Sequence, residues 1–205
     1  HLQAQPLDTR PVPAQIMPSS LPAYWDRGAF MEIFVRAYQD SNGDGIGDLR
    51  GLTSRLDYLK NMGITGLWLM PIQRSGDGDH GYATADYRDI EPAYGTLEDF
   101  DELIKQAHAR GIGVVLDHGI HHAAAQPPAS PYRDWFVWSE QAPAGWSIWD
   151  KYPWYHTASQ PWLFLGEPKD LPKPPPGATG YYFGTFRSHM PDFNLRHPPA
   201  LAYHL

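Results

Sequence analysis

Apolar residues along this chain change their spacing in a fixed order. Phe30 to Tyr38 is a nine-residue run of strand-forming composition and predicts a first strand. Leu49, Leu52, Leu56, Leu59 and Met62 then recur at helical spacing, which predicts an amphipathic helix stopped by Gly63. Ile64 to Met70 is almost continuously apolar and ends at Pro71, the pattern of a strand buried on both faces in a parallel sheet. Residues 72–95 are rich in Gly, Asp and Tyr and predict a long loop. Thr96-Leu97-Glu98-Asp99 has the form of a helix start, and Leu97, Phe100, Leu103, Ile104 and Ala107 give the second helix its apolar stripe, ended by Gly111. Ile112 to Asp117 predicts a third strand. Strands alternating with helices of these lengths imply parallel pairing through right-handed crossovers.

The flanks follow other rules. Residues 1–22 hold five prolines and little periodicity, which predicts an extended arm. The arm has neither a basic start nor an apolar h-region, and a mature exported protein would also lack both. After His122 the helical period disappears. Residues 123–189 are rich in Pro and Trp, with a stiff connector at Pro172–Gly177. Trp135, Trp138, Trp146, Trp149, Trp154 and Trp162 are too many apolar groups for a solvated linker, so an irregular subdomain with a small core is expected. Residues 23–122 then form the first β/α units, and 190–205 the return to them and the start of a third helix.

Composition narrows the chemistry. Hydrophobic residues make up 42% of the 205, enough for a core, and no apolar run is long enough to span a membrane. The formal charge of −7, without clustered Lys and Arg, disfavours nucleic acid as a partner. The absence of cysteine excludes disulfides, thiolate metal sites and cysteine nucleophiles. An acidic chain with 14% aromatic residues suits a sugar better than a phosphate.

Between the first strand and helix lies Asp40-Ser41-Asn42-Gly43-Asp44-Gly45-Ile46-Gly47-Asp48. Side-chain oxygens recur at 40, 42, 44 and 48, and the Ile46 carbonyl fills the gap. Such a series suits a hard cation, Ca²⁺ or Mg²⁺, held by oxygens alone. The start resembles an EF-hand loop, but its twelfth position, normally a bidentate Glu, is Gly51. A turn stabilised by Asx hydrogen bonds would use the same residues.

Several segments together resemble the α-amylase family of glycoside hydrolases. They are Phe34-Val35-Arg36, Leu67 to Pro71, His80-Gly81-Tyr82, Tyr94-Gly95-Thr96, Val115-Leu116-Asp117 through His121-His122, and Met190-Pro191-Asp192-Phe193-Asn194. The last is similar to the group intermediate between neopullulanases and oligo-1,6-glucosidases. The resemblance covers residues 24–205 and implies the first three strands of a (β/α)8 TIM barrel, with domain B inserted after strand 3. It further implies an enzyme acting on α-linked glucose oligosaccharides or polysaccharides. Asp40, Asn42, Asp44, Ile46 and Asp48 would be the Ca²⁺ or Mg²⁺ ligands, Tyr82 a stacking platform for sugar, His122 a donor to that sugar, and Asp117 the carboxylate anchoring the end of strand 3. The residues alone also allow plain loop packing for Tyr82 and strand-end hydrogen bonding for Asp117 and His122.

Two positions depart from the family pattern: His121 stands where Asn is usual before the paired His, and Ala83 where Asp is usual. The Asn commonly serves a second calcium site, and neutral imidazole is a poor Ca²⁺ ligand, so that site is expected to be absent or altered. His118, His121 and His122 raise a transition-metal alternative. Retaining hydrolysis needs two carboxylates about 5–5.5 Å apart. The family carries them on strands 4 and 5, and no Gly-Phe-Arg-x-Asp segment occurs here, so they are expected beyond residue 205. The chain is therefore expected to need the remaining barrel, as a companion chain or missing segment. A non-catalytic carbohydrate-binding remnant and a metal-stapled structural module are the alternatives.

Overall fold

The computed structural model describes residues 10, 19–76, 80–124, 133–139, 154–156, 181–183, 186 and 190–205. Most of the expected N-terminal arm, the Pro172–Gly177 connector, and Trp146, Trp149 and Trp162 lie outside the described residues. The chain forms two compact units, one of residues 14–74 and 88–118, the other of 1–13, 75–87 and 119–205.

The first unit is built on a parallel sheet. Strands β1 (Ala29–Ile33), β2 (Ile64–Leu69) and β5 (Gly113–Leu116) lie in the order β1-β2-β5, with Ile33 opposite Leu69 and Leu69 opposite Leu116. Ile33, Leu67 and Leu69 are buried with Leu49, Leu52, Leu56, Leu59, Leu103 and Ala107 of the connecting helices, the apolar positions that the sequence pattern assigned to one core. Burying each such Leu or Ile stabilises by about 1.5–3 kcal/mol relative to leaving it in water.

The first strand is shorter than the apolar run predicted. It ends at Ile33, and Val35–Tyr38 is a helical turn, α1. The turn frees carbonyls that a strand would have paired: Gly47 donates to Arg36 (2.7 Å) and Asp48 to Gln39 (3.0 Å), folding the 40–48 loop back on it. An apolar run fits a buried strand or a buried helical turn equally well, so its composition could not decide.

The single helix expected over 49–62 is two, α2 (Leu49–Ser54) and α3 (Leu56–Asn61). Thr53 Oγ1 donates to the Leu49 carbonyl (2.8 Å) and Ser54 Oγ to Gly51 (2.6 Å), the back-bonding that bends helices. Met62, expected on the apolar face, is exposed. The other helix, α4 (Leu97–Ala109), has a full capping box: Thr96 Oγ1 accepts from the Asp99 N–H, and Asp99 Oδ2 accepts from the Thr96 N–H. Leu97 is exposed rather than part of the stripe.

The expected loop 72–95 contains a two-stranded sheet of β3 (Gln73–Ser75) and β4 (Thr84–Ile90). Gly76 donates to Ala83 at one end (2.7 Å) and Glu91 to Ile72 at the other (2.9 Å). Most of β4 is half-buried and polar, so it lacks the apolar signature of a core strand.

In the second unit Ala123, Trp135, Phe136, Phe193, Ala200 and Tyr203 form the buried cluster. Isolated bridges pair His122 with Asp192 and Phe136 with Phe193. Within the stretch read as irregular, β6 (Trp138–Ser139), β8 (Tyr181–Phe183) and β7 (Trp154–His156) form an antiparallel sheet in that order. The chain then enters helix α5 (Pro198–His204), whose first position is a proline, as helix starts favour.

Candidate functional site

In the first unit, the 40–48 loop turns through Gly43 and Gly45, both with φ near +85° (84° and 86°), a conformation that glycine adopts without strain. Asp40 gathers three backbone amides, Oδ1 accepting from Asn42 (2.9 Å) and Gly43 (2.7 Å) and Oδ2 from Gly45 (2.8 Å). Asn42 Oδ1 accepts from Asp44 and Asp44 Oδ1 from Ile46. Asp48 closes the loop, Oδ2 accepting from the Ser41 amide and hydroxyl and Oδ1 from the Gly51 amide, which caps α2. The amides of Gly43 and Gly45 hold the Asp40 carboxyl below its ordinary pKa. Burial alone would raise that of Asp48, but its amide partners Ser41 and Gly51 outweigh it and the net shift is downward.

The donor chemistry of this loop fits Ca²⁺ or Mg²⁺: two carboxylates fixed in the charged form, a third at Asp44, an amide oxygen and a carbonyl. Its oxygens are closed on backbone amides, and among the described residues no three acidic or histidine side chains are gathered as a metal-holding group. That holds equally for His118, His121 and His122. A concave surface of about 590 Å³ opens on the loop, lined by Asn42, Asp44, Asp48, Asp89, Tyr94 and Asp99 among others. Its carboxylates make it attractive to cations.

Gly51, where an EF-hand would carry its bidentate Glu, lies against the chain leaving α1. A Cβ there would sit 1.9 Å from the Gln39 carbonyl oxygen. The loop-to-helix packing leaves no room for a ligand side chain at that position.

The second unit brings two of the predicted sugar-binding residues together. His122 is buried, and its Nε2 lies 2.8 Å from the Tyr82 carbonyl oxygen, while its Nδ1 lies 2.6 Å from Nδ1 of His121. Tyr82 itself is exposed. Burial pushes the His122 imidazole pKa down, against the Tyr82 carbonyl and the Asp192 charge, which favour the proton. Asp117 belongs to the first unit: it follows β5, half-buried, and its amide donates to the Leu69 carbonyl (2.8 Å). Beside it burial lowers the His118 pKa, opposed by the Asp117 charge.

One residue that sequence reasoning missed is Tyr87. Its hydroxyl reaches the carbonyl oxygens of Gly119 and His122, pinning both ends of the segment that carries the histidine pair. The hydroxyl of Tyr203 in turn accepts from the Tyr87 amide (3.0 Å) and donates to Asp86 (2.8 Å). No local spacing announces partners separated by 116 and 117 residues.

Comparison with known proteins places the chain in a family. Residues 32–201 match the family described as "Alpha amylase, catalytic domain". The chain is similar to α-amylase 3 of Dictyoglomus thermophilum, 41% identical over 185 residues, covering 85% of this chain and 32% of that protein. It is also similar to the oligo-1,6-glucosidase of Heyndrickxia coagulans, 36% identical over 183 residues, covering 83% and 30% respectively. Among solved structures, the isomaltulose synthase of Klebsiella sp. LX3 superposes with a TM-score of 0.68 at 31% identity, over 87% of this chain and 32% of that one. The chain thus spans about a third of the length of the relatives it matches (32% and 30% for the two proteins above). The parallel sheet of the first unit is that of the N-terminal strands of a (β/α)8 barrel, and the chain belongs to the α-amylase catalytic-domain family.

Proposed function

We propose that these 205 residues are part of a retaining glycoside hydrolase acting on α-linked glucose oligosaccharides or polysaccharides, with transglycosylation open to the same site. The carrying observation is the contact of His122 with the Tyr82 carbonyl, which sets a buried imidazole beside an exposed tyrosine, within the family match. In this reading the Tyr82 ring stacks on sugar C–H groups, His122 supports the same sugar, and Asp117 anchors the end of β5. The nucleophile and the acid/base come from outside these residues, on a continuation of the chain or a companion. The 40–48 loop binds Ca²⁺ and staples β1 to α2, a reading supported by its all-oxygen donors and the acidic surface around it.

The decisive experiment pairs native mass spectrometry of the purified protein with assays on maltotriose, isomaltose and starch. Release of glucose or maltose by a species that contains the carboxylate-bearing part supports the reading. Binding of maltotriose by the 205 residues without any turnover in the complete species supports the carbohydrate-binding alternative. Neither binding nor turnover leaves a metal-stapled structural module.

A further inference from the structure

Asn42-Gly43 is the single Asn-Gly pair of the chain; the other asparagines, Asn61 and Asn194, precede Met62 and Leu195. In such a pair the following backbone nitrogen can attack the side-chain carboxamide, because glycine has no Cβ to block the approach and leaves the backbone free to close the ring. Asn42 and Gly43 are both exposed, so water and hydroxide reach them. The reaction balances with water as its sole co-reactant. The Gly43 nitrogen loses its proton and bonds to Asn42 Cγ, the Cγ–Nδ2 bond breaks, and ammonia leaves behind a succinimide. Water then opens the ring at either carbonyl, giving aspartate or isoaspartate at position 42.

The folded loop opposes the first of these steps. The Gly43 amide donates to Asp40 Oδ1 at 2.7 Å, and the Asn42 amide shares that oxygen at 2.9 Å. Removing the Gly43 proton would set a nitrogen anion against a carboxylate. Asp40, held below its ordinary pKa by the amides of Gly43 and Gly45, is too weak a base to take that proton itself. The Asn42 carboxamide is engaged at both ends by Asp44: Oδ1 accepts from the Asp44 amide (2.9 Å), and Nδ2 donates to Asp44 Oδ2 (3.2 Å). An amide on Oδ1 favours the tetrahedral intermediate, so the Asp40 contact, rather than those of Asp44, withholds the reaction.

We propose that Asn42 is a deamidation site latched by Asp40, which converts when the loop opens and frees the Gly43 amide. Conversion is a one-way change in the loop. Aspartate at position 42 takes away the donor that Nδ2 offers Asp44 and adds a carboxylate to those of Asp40, Asp44 and Asp48. Isoaspartate also inserts a methylene into the main chain beside Gly43, which moves that amide off Asp40 Oδ1. The inference rests on the loop's own hydrogen bonds and is independent of the carbohydrate and metal readings.

The test is peptide mapping by mass spectrometry, with detection of isoaspartate, after the purified protein is incubated in mildly alkaline buffer with EDTA. Native protein, guanidinium-unfolded protein, Asp40→Ala and Asp40→Asn are compared, with Asn61 and Asn194 as internal references. Conversion is expected at Asn42 with both products present, about 10- to 100-fold slower in the native than in the unfolded protein, the effect of one hydrogen bond to a charged group. Asp40→Ala should convert near the unfolded rate, and Asp40→Asn, which keeps an uncharged acceptor, at a rate between the two. Native conversion as fast as unfolded, or faster, overturns the proposal. So does an Asp40→Ala protein that keeps its near-ultraviolet circular dichroism and converts as slowly as wild type. Where Asp40→Ala does not fold, Asp40→Asn decides in its place: a folded protein converting at the wild-type rate overturns the latch. Conversion of Asn61 or Asn194 ahead of Asn42 in the unfolded protein overturns the choice of site.

Discussion

At the scale of single residues, the site depends on which atoms are already occupied. Asp40 and Asp48 each accept three hydrogen bonds and stay charged, so their cost of ionisation is met before any cation arrives. Addition of Ca²⁺ should therefore raise the melting temperature, EDTA should reverse the gain, and Asp40→Asn should abolish the response. At a concentration about 100-fold above Kd the gain is about 2.7 kcal/mol. A melting temperature indifferent to Ca²⁺ and Mg²⁺ would overturn the metal reading. His122 makes a second prediction. Its folded pKa lies below the ordinary histidine value, so the unfolded chain takes up its proton first as pH falls. Its contribution to stability is complete above about pH 6.5 and is lost as pH drops from there toward the depressed folded value. Thermal melts between about pH 7.5 and 5.5 should show this loss, and His122→Gln should flatten it, while His118, shifted in the same direction, leaves a residual slope. These features were partly legible in the sequence: alternating oxygens and paired histidines stand out in a string of letters. Which histidine nitrogen faces which partner depends on residues 40 positions apart and was not legible.

At the scale of elements, close backbone approach and capping decide the outcome more than propensity does. Gly51 brings α2 against Gln39 so tightly that a methyl group meets a carbonyl oxygen, which no side-chain rotation can relieve. Gly51→Ala should cost at least about 1–3 kcal/mol in a denaturant titration, and a neutral result would contradict this packing. Thr96→Ala removes the hydroxyl that accepts from Asp99 and should cost about 0.5–2 kcal/mol. Serine at the same position should restore most of it. The capping box of α4 was readable because its partners lie within four residues. The division of α2 from α3, and the turn ending β1, were not: each depends on where hydroxyl and carbonyl groups find partners.

At the scale of the whole molecule, the parallel sheet has β1 and β5 as its outer strands, and no further strand pairs with them among the described residues. Unpaired strand edges promote association. The 205 residues expressed alone should self-associate in sedimentation velocity. A stable monomer that melts cooperatively would contradict the proposal that additional strands complete the sheet. The sequence by itself determined the order of the three parallel strands and the helical segments between them, most of the buried leucines and the family, because periodicity and motifs are properties of neighbouring residues. Only the tertiary structure decided that a sheet forms from residues 73–75 and 84–90, that Tyr87 and Tyr203 hold the segment bearing His122, and that Nδ1 of His121 meets Nδ1 of His122. The reason is physical: hydrogen bonds saturate, and which donor meets which acceptor is settled only when distant stretches of chain lie side by side.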